Sequence, residues 1–137
     1  MGVLEGRMTG SEVWCARDEL GLDRADLARL LGNDTATIRD WERGKTFTPV
    51  RLAAQIEEVE ALLKRATESA VERLVAELRA MPQPRVVVYA ENERPQDGDV
   101  ARFGVRWWRH VANRGKAQVP GTRIGTLAEF DSMDHEA

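Results

Sequence analysis

The chain has 137 residues, of which 42% are hydrophobic, and its formal net charge is −3. This length suffices for one ordinary domain, or for a small helical module followed by a short second unit. No apolar run approaches the roughly 18–20 residues that a membrane span needs, and no export signal is recognisable at the N-terminus. The single cysteine, Cys15, excludes an internal disulfide and fits a reducing compartment, so we expect a cytoplasmic protein with no membrane contact.

The first predicted helix begins after Thr9 and ends at Gly21. Thr9 and Glu12 have the spacing of a capping box, in which each satisfies a backbone N–H at the start of the helix. Val13 and Leu20 are predicted to face the core, and Cys15 is interpreted as a further core residue.

Two short helices joined by a tight turn are predicted between Leu22 and Lys45. Asp23 can cap the first helix, and Gly32 ends it because glycine tolerates a left-handed backbone. Asp34 then caps the second helix. At helical spacing, the apolar residues of the first helix fall on one side: Leu27, Ala28, Leu30 and Leu31. Ile38 and Trp41 of the second helix are predicted to pack against that side.

This pattern resembles the lambda-repressor-like (XRE) helix-turn-helix family over about Glu12 to Leu63. The positions that carry the resemblance are Leu27, Ala28, Gly32, Ile38 and the run Trp41-Glu42-Arg43-Gly44. The resemblance implies that the second helix of the pair enters the major groove of double-stranded DNA. It also implies that Arg17 forms a structural ion pair with Glu42, rather than a contact with DNA.

A set of DNA-contacting residues follows from the same resemblance. Arg24 looks like a phosphate contact at a helix start, and a second group looks like phosphate anchors: Arg43, Lys45, Thr46 and Thr48. The residues expected to face bases or the DNA backbone are Asp34, Thr35, Ala36, Thr37, Arg39 and Asp40. Two alternatives stay open: Arg39 and Arg43 as ordinary solvated surface, and Asp40 as an intrahelical partner of Arg43.

A long helix is predicted from Pro49 to Ala80, where nothing in the sequence interrupts the helical pattern. Its first half has enough apolar positions to complete the helix-turn-helix core. A second apolar stripe runs from Val71 to Leu78, one position out of phase with the first. We therefore expect this stripe to face the C-terminal unit or a second copy of the chain.

The C-terminal region begins at the proline pair Pro82 and Pro84, which ends the helix. The sequence predicts a strand over 85–90, a loop over 91–100, a helix over 102–112 and a short strand over 122–127. The last residues carry four acidic side chains and no basic one, which favours a disordered tail.

A short strand has unpaired edges that favour pairing with another chain, so this region is interpreted as a dimerisation unit. Its expected interface residues are Val71, Leu74, Leu78, Val86, Val88, Tyr89, Trp107 and Trp108. The order of a helix-turn-helix, a Pro-x-Val-x-x-Tyr strand, an aromatic helix and a final strand is similar to the Aca-type regulators found beside phage anti-CRISPR genes. That similarity implies a homodimeric autorepressor of a phage or mobile element, acting on inverted repeats.

The predicted fold class is mainly α, with a five-helix helix-turn-helix domain followed by a small α+β dimerisation unit. The predicted boundaries are 1–66 for the DNA-binding domain, 67–82 for a connecting helix, 83–127 for the dimerisation unit and 128–137 for the acidic tail.

The leading hypothesis for function is a sequence-specific, homodimeric repressor that binds double-stranded DNA at an inverted repeat, such as one in its own promoter. One alternative is an antitoxin whose C-terminal half binds a protein toxin. Another is a dual regulator of DNA and RNA, in which Trp107 and Trp108 stack on bases beside Arg106 and Arg109. The opposing interpretation makes those tryptophans core and interface. No combination of catalytic residues, metal ligands or cofactor-binding loop is recognisable, so we expect no enzyme, no cofactor and no metal.

Overall fold

The computed structural model describes residues 6–96 and 98–136, and the chain divides into two compact units between Lys64 and Arg65. The elements are mainly helical, as the sequence predicts. In chain order they are α1 (Gly10–Leu20), α2 (Arg24–Leu31), α3 (Thr35–Glu42), α4 (Leu52–Ala80), β1 (Arg85–Val87), α5 (Gly98–Phe103), α6 (Val105–Gln118), β2 (Arg123–Gly125) and α7 (Leu127–Glu136).

The helix boundaries of the first unit are set by the capping residues that the sequence contains. Thr9 and Glu12 form the predicted capping box. The Thr9 hydroxyl accepts from the N–H of Glu12 at 3.1 Å, and the Glu12 carboxylate accepts from the N–H of Thr9 at 2.8 Å. Asp23 caps α2 by accepting from the N–H of Asp26 at 2.7 Å. Gly21 ends α1 with a left-handed φ of 70°. These local rules explain why the three short helices begin and end where they were predicted.

One core is formed by α1, α2, α3 and the first part of α4. Among its least exposed side chains are Val13, Leu22, Leu27, Ile38 and Leu52. Within residues 6–64 the core contains three whole helices and the beginning of a fourth, instead of the five helices expected. The reason is that the predicted long helix is continuous, so the apolar positions after Leu52 lie on one element.

Gly10 is the position at which α1 approaches α3 most closely. A Cβ atom at Gly10 would meet the carbonyl oxygens of Trp41 and Glu42, at 2.9 Å for Glu42 and closer still for Trp41. Because both obstacles are backbone atoms, no side-chain rotation can relieve them. The absence of a side chain at this position therefore sets the distance between the two helices.

Cys15 is exposed, so its assignment to the core is wrong. The buried face of α1 is defined by Val13 and Arg17, which are one helical turn apart. Trp14 and Cys15 are rotated away from that face by about 100° per residue, and Trp14 is 51% exposed.

The second unit contains a two-stranded parallel sheet, in which Arg85, Val86 and Val87 pair with Arg123, Ile124 and Gly125. Parallel pairing requires a crossover between the strands, and α5 and α6 supply it. Strand β1 therefore has a partner in its own chain, which differs from the unpaired strand on which the expected dimerisation depends. Its carbonyl at Val87 also accepts a hydrogen bond from the indole of Trp108 at 2.7 Å.

The helix α6 is longer than predicted because Gly115 does not end it. A Cβ atom at Gly115 would lie 2.7 Å from Cδ2 of Leu74 and 3.4 Å from Cδ1 of Leu78. This glycine lets α6 pack closely against the C-terminal half of α4. Residues 65–80 are consequently part of the second unit, and differ from the separate connecting helix that was expected.

Five of the residues expected at the dimer interface are instead buried inside the second unit: Val71, Leu74, Leu78, Val86 and Trp107. The other three, Val88, Tyr89 and Trp108, are half-buried. The out-of-phase stripe of α4 does face the C-terminal unit, which was one of the two options left open. Because Gly115 of α6 packs against Leu74 and Leu78, these two side chains are not available to a second protomer.

The acidic C-terminus is helical, so the predicted disordered tail is wrong. Thr126 and Glu129 form a capping box at the start of α7. Phe130 is only 6% exposed, and its ring lies against Gly125, where a Cβ atom would be 3.1 Å from it. Arg85 lies over that ring at 4.9 Å and pairs with Asp134 at 2.8 Å. The acidic composition favoured disorder, but one buried aromatic residue, Phe130, attaches α7 to the sheet.

Candidate nucleic-acid interface

The helices α2 and α3 form a helix-turn-helix whose turn is Gly32, Asn33 and Asp34. Gly32 has a φ of 74°, and the N–H of Asn33 donates to the carbonyl of Ala28 at 2.8 Å, which closes the end of α2. The inner side of α3 is fixed by Ile38, which is fully buried, and by Trp41 at 5% exposure. These contacts leave the opposite side of α3 facing solvent.

The solvent-facing side of α3 and the loop after it carries most of the predicted DNA-contacting residues. Those that are exposed are Asp34, Thr35, Ala36, Arg39, Arg43, Lys45 and Thr46, whereas Thr37 and Asp40 are half-buried. Short side chains at the start of α3, followed by guanidinium groups, leave room for a base pair edge to approach the helix. We call this set of nine residues the α3 surface.

Asp34 and Thr37 bind each other at the start of α3. The carboxylate of Asp34 accepts from the N–H of Thr37 at 2.8 Å and from its hydroxyl at 2.7 Å. The hydrogen bond from the Thr37 hydroxyl has the largest effect on the carboxylate, followed by the bond from the Thr37 N–H. Together they hold the pKa of Asp34 below its ordinary value. Both residues therefore stabilise the helix start, and their polar atoms are already engaged.

Asp40 lies beside Arg39, with 3.9 Å between the carboxylate and Nε, and does not form the alternative pair with Arg43. Its backbone carbonyl accepts from the N–H of Lys45 at 2.9 Å and of Thr46 at 3.4 Å. Those two bonds, together with a left-handed Gly44, turn the chain sharply after α3. The turn brings Lys45 and Thr46 back beside the C-terminal end of α3.

Arg43 and Lys45 are the free cations of the α3 surface. Neither side chain has a hydrogen bond or ion pair with any of residues 6–96 and 98–136. Cations that have no partner in the protein can neutralise phosphate without first breaking an internal contact. The alternative of an ordinary solvated surface is equally compatible with their exposure taken alone.

Arg17, Arg24 and Glu42 form a network beneath this surface. Glu42, whose side chain is 1% exposed, accepts from Nε of Arg17 at 2.8 Å and from Nε of Arg24 at 3.0 Å. Burial by itself would raise the pKa of Glu42, but the hydrogen bonds from both arginines outweigh it, so that the pKa is lowered. The predicted Arg17–Glu42 pair is present. Arg24 binds Glu42 through Nε while its side chain stays 34% exposed, so its contact with phosphate stays a prediction.

Thr48 is not an exposed phosphate anchor. It is 2% exposed, and its hydroxyl donates to the carbonyl of Met8 at 2.7 Å. The carbonyl of Thr48 in turn accepts from Arg7 at 2.6 Å. Thr48 and Arg7 thus attach the loop after α3 to the segment before α1. Sequence reasoning missed Arg7 and the spacing role of Gly10, because both act through backbone atoms distant in sequence.

The tryptophan pair of α6 does not offer an aromatic stacking surface. Trp107 is 6% exposed, and its indole donates to the hydroxyl of Thr67 at 2.9 Å. Trp108 is half-buried and bound to Val87, while Arg106 and Arg109 both pair with Glu91. The core interpretation of these tryptophans therefore fits the structure better than base stacking.

The comparison with known protein families agrees with this geometry. The model of the helix-turn-helix family matches residues 16–59, which include the C-terminal part of α1, all of α2 and α3, and the beginning of α4. The match confirms the helix-turn-helix predicted for this part of the chain. No curated protein is detectably similar to it in sequence. In the described part of the chain, no helix is both long enough and apolar enough to cross a membrane.

Proposed function

We propose that the protein is a sequence-specific DNA-binding transcriptional repressor that acts as a homodimer on an inverted repeat. The observation that carries the proposal is the helix-turn-helix at residues 16–59, with α3 held by Ile38 and Trp41 and its other side open. A helix in this arrangement fits the major groove, where each base pair presents a distinct pattern of donors and acceptors.

In this proposal the α3 surface divides into two roles. Thr35, Ala36 and Arg39 lie along the exposed side of α3 and face the base edges. Arg43 and Lys45 lie at its C-terminal end and bind phosphates. Phosphate contacts fix the register of the helix on the duplex, and base contacts read the sequence.

The charge of the DNA-binding unit supports the homodimer in this proposal. Residues 1–48 carry seven Lys and Arg against nine Asp and Glu, so the unit has no strong positive field. A single unit would then bind DNA weakly, since phosphate neutralisation supplies most of the nonspecific affinity. Two units on half-sites about 34 Å apart would combine their contacts. Occlusion of a promoter, beginning with the protein's own, is the repression mechanism that we propose.

The removal of both exposed arginines from α3 tests the proposal. Arg39→Ala/Arg43→Ala should reduce affinity for the operator at least about 100-fold, because a specific arginine contact with a base is typically worth ~1–3 kcal/mol, the phosphate contact adds to it, and both occur in each protomer. The operator is first located by footprinting on the DNA upstream of the protein's own reading frame, and affinity is then measured by fluorescence anisotropy.

The matched control is Lys64→Ala/Arg65→Ala, which removes the same charge from exposed positions on α4. The control should bind as the unchanged protein does, and both variants should keep its melting temperature. Equal binding by Arg39→Ala/Arg43→Ala and the unchanged protein would contradict the role of α3. The absence of any footprint and of binding to any inverted repeat would contradict the proposed function itself.

The two alternative functions remain separate predictions. An antitoxin would co-purify with a second polypeptide when it is expressed with its neighbouring genes. A DNA and RNA regulator would have to bind RNA without exposed stacking aromatics on α6, because Trp107 is buried. The DNA-only repressor is therefore the function that we carry forward.

A further inference from the structure

A groove of about 380 Å³ runs along the second unit, between the C-terminal half of α4 and α6. Val71 and Val75 lie at its base, and Ala76 forms part of its wall on α4. Its rim is charged, with Glu72 and Arg79 on the α4 side. The groove lies along the edge of the buried stripe. Its Val71 and Val75 belong to that stripe, whereas Glu72, Ala76 and Arg79 are exposed.

The charged side chains along this part of α4 change sign from one end of the groove to the other. The N-terminal end of the groove is acidic, at Glu68 and Glu72, and the C-terminal end is basic, at Arg79. Glu68 already has a partner in the same unit, Arg114 of α6, at 3.4 Å. By contrast, neither Glu72 nor Arg79 has an ion pair or side-chain hydrogen bond with any residue that the structure describes.

Glu72 and Arg79 cannot neutralise each other within one chain. They are separated by two turns of helix, which is about 10.5 Å along the axis. In the isolated chain both charges are exposed to water. A partner with the two charges in the reverse order would pair with each of them, and an antiparallel copy of the same helix has that order.

We propose that a second copy of this chain docks along the groove, with its α4 antiparallel and a two-fold axis beside Val75 and Ala76. Glu72 lies three positions before Val75, and Arg79 lies three positions after Ala76. In this arrangement, Glu72 of each protomer therefore faces Arg79 of the partner subunit. A two-fold interface uses the same patch on both protomers, so this ion pair occurs twice.

Ala76 makes the close approach of the two helices possible. An alanine at the axis allows neighbouring helix backbones to come together with little steric resistance, as small residues do at packed helix contacts. The groove beside it leaves room for the ridge of the partner helix. Met81, which directly follows α4 and is 38% exposed, adds apolar surface at the end of the groove-bearing helix.

This inference rests on the homodimer in the proposed function and names the surface through which it forms. It differs from the interface expected from the sequence, because Leu74 and Leu78 are covered by α6, whereas Val71 also lines the groove. It does not involve the α3 surface, so dimer formation and the DNA contacts can be tested separately.

Charge reversals in the full-length chain test the interface. Glu72→Arg and Arg79→Glu each turn both symmetric attractions into repulsions. Each should raise the dimer dissociation constant at least about tenfold, measured by sedimentation equilibrium at low salt. The double variant Glu72→Arg/Arg79→Glu restores opposite charges across the axis and should recover most of the lost affinity. High salt should reduce the difference between the single variants and the unchanged protein.

Glu77→Arg provides the matched control, because it makes the same charge change on α4 at a position that does not line this groove. It should leave the dissociation constant unchanged. A monomeric unchanged protein, single reversals that dimerise normally, or a double variant no better than the single ones would overturn the inference. Circular dichroism establishes that each variant is folded, so that a loss of folding is not taken for a loss of the dimer.

Failure of this inference and failure of the proposed function give different results. A protein that binds operator DNA as a dimer, with single reversals that dimerise normally, retains the proposed function and loses only this interface. A protein that dimerises through Glu72 and Arg79 but binds no DNA retains the interface and loses the proposed function.

Discussion

At the scale of single residues, the position of the α3 surface is set by residues that are not part of it. Glu42, the last residue of α3, binds both Arg17 and Arg24, and Thr48 attaches the following loop to Met8. Gly10 determines how closely α1 approaches the end of α3. A residue can therefore control the orientation of the α3 surface while it makes no contact with a ligand.

Gly10→Ala provides the test at this scale. The new Cβ atom would overlap the carbonyls of Trp41 and Glu42, so the variant should lose ~1–3 kcal/mol of unfolding free energy. It should also bind the operator more weakly, because α3 must shift. Ser11→Ala, one position along at an exposed site, should change neither quantity in urea unfolding and anisotropy measurements. Unchanged stability of Gly10→Ala would contradict the close approach of α1 and α3.

At the scale of elements, α7 shows how one apolar residue decides the state of an acidic segment. Phe130 packs against Gly125, and Arg85 contacts both the ring of Phe130 and the carboxylate of Asp134. The helix alone is 10 residues long, which is too short to be stable in isolation. Its stability therefore depends on contacts with the sheet.

Phe130→Ala should destabilise the second unit by about 3–5 kcal/mol, the usual result of removing a buried phenyl ring. Amide hydrogen exchange should then show loss of protection over residues 127–136. Leu127→Ala is the matched control, since Leu127 is 64% exposed on the same helix and its removal should have little effect. Retained protection in Phe130→Ala would mean that other contacts hold α7 in place.

At the scale of the whole molecule, the charge is distributed against the expectation for a DNA-binding protein. The net charge is −3, yet residues 81–125 carry eight basic side chains against four acidic ones. Much of that basic surface is already neutralised, since Arg85, Arg106 and Arg109 are in ion pairs. We therefore expect operator binding to depend on few phosphate contacts and to have a modest salt dependence.

Lys45→Ala measures one of those phosphate contacts. Each phosphate neutralised contributes ~0.9 to the slope of log affinity against log salt concentration, so the slope should become shallower by about that amount for each protomer bound. Lys64→Ala removes an equal charge from α4 and should leave the slope unchanged. An unaltered slope in Lys45→Ala would remove Lys45 from the set of phosphate contacts.

The sequence by itself determined the helix-turn-helix, because caps, glycine turns and helical apolar spacing are interactions between near neighbours. Asp23, Gly32 and Asp34 set the ends of α2 and α3 wherever the rest of the chain lies. The same local signals predicted α4 and the exposure of Arg39 and Arg43.

Only the tertiary structure decided which apolar faces are covered and which polar groups are engaged. Leu74 and Leu78 are buried because Gly115, which has no side chain, lets α6 pack closely against them. The helix α7 is held in place because the ring of Phe130 packs against Gly125. Arg24 and Thr48 are bound inside the first unit by partners 18 and 40 positions away. Periodicity identifies an apolar face but not its partner, since burial depends on contacts between residues that are distant along the chain.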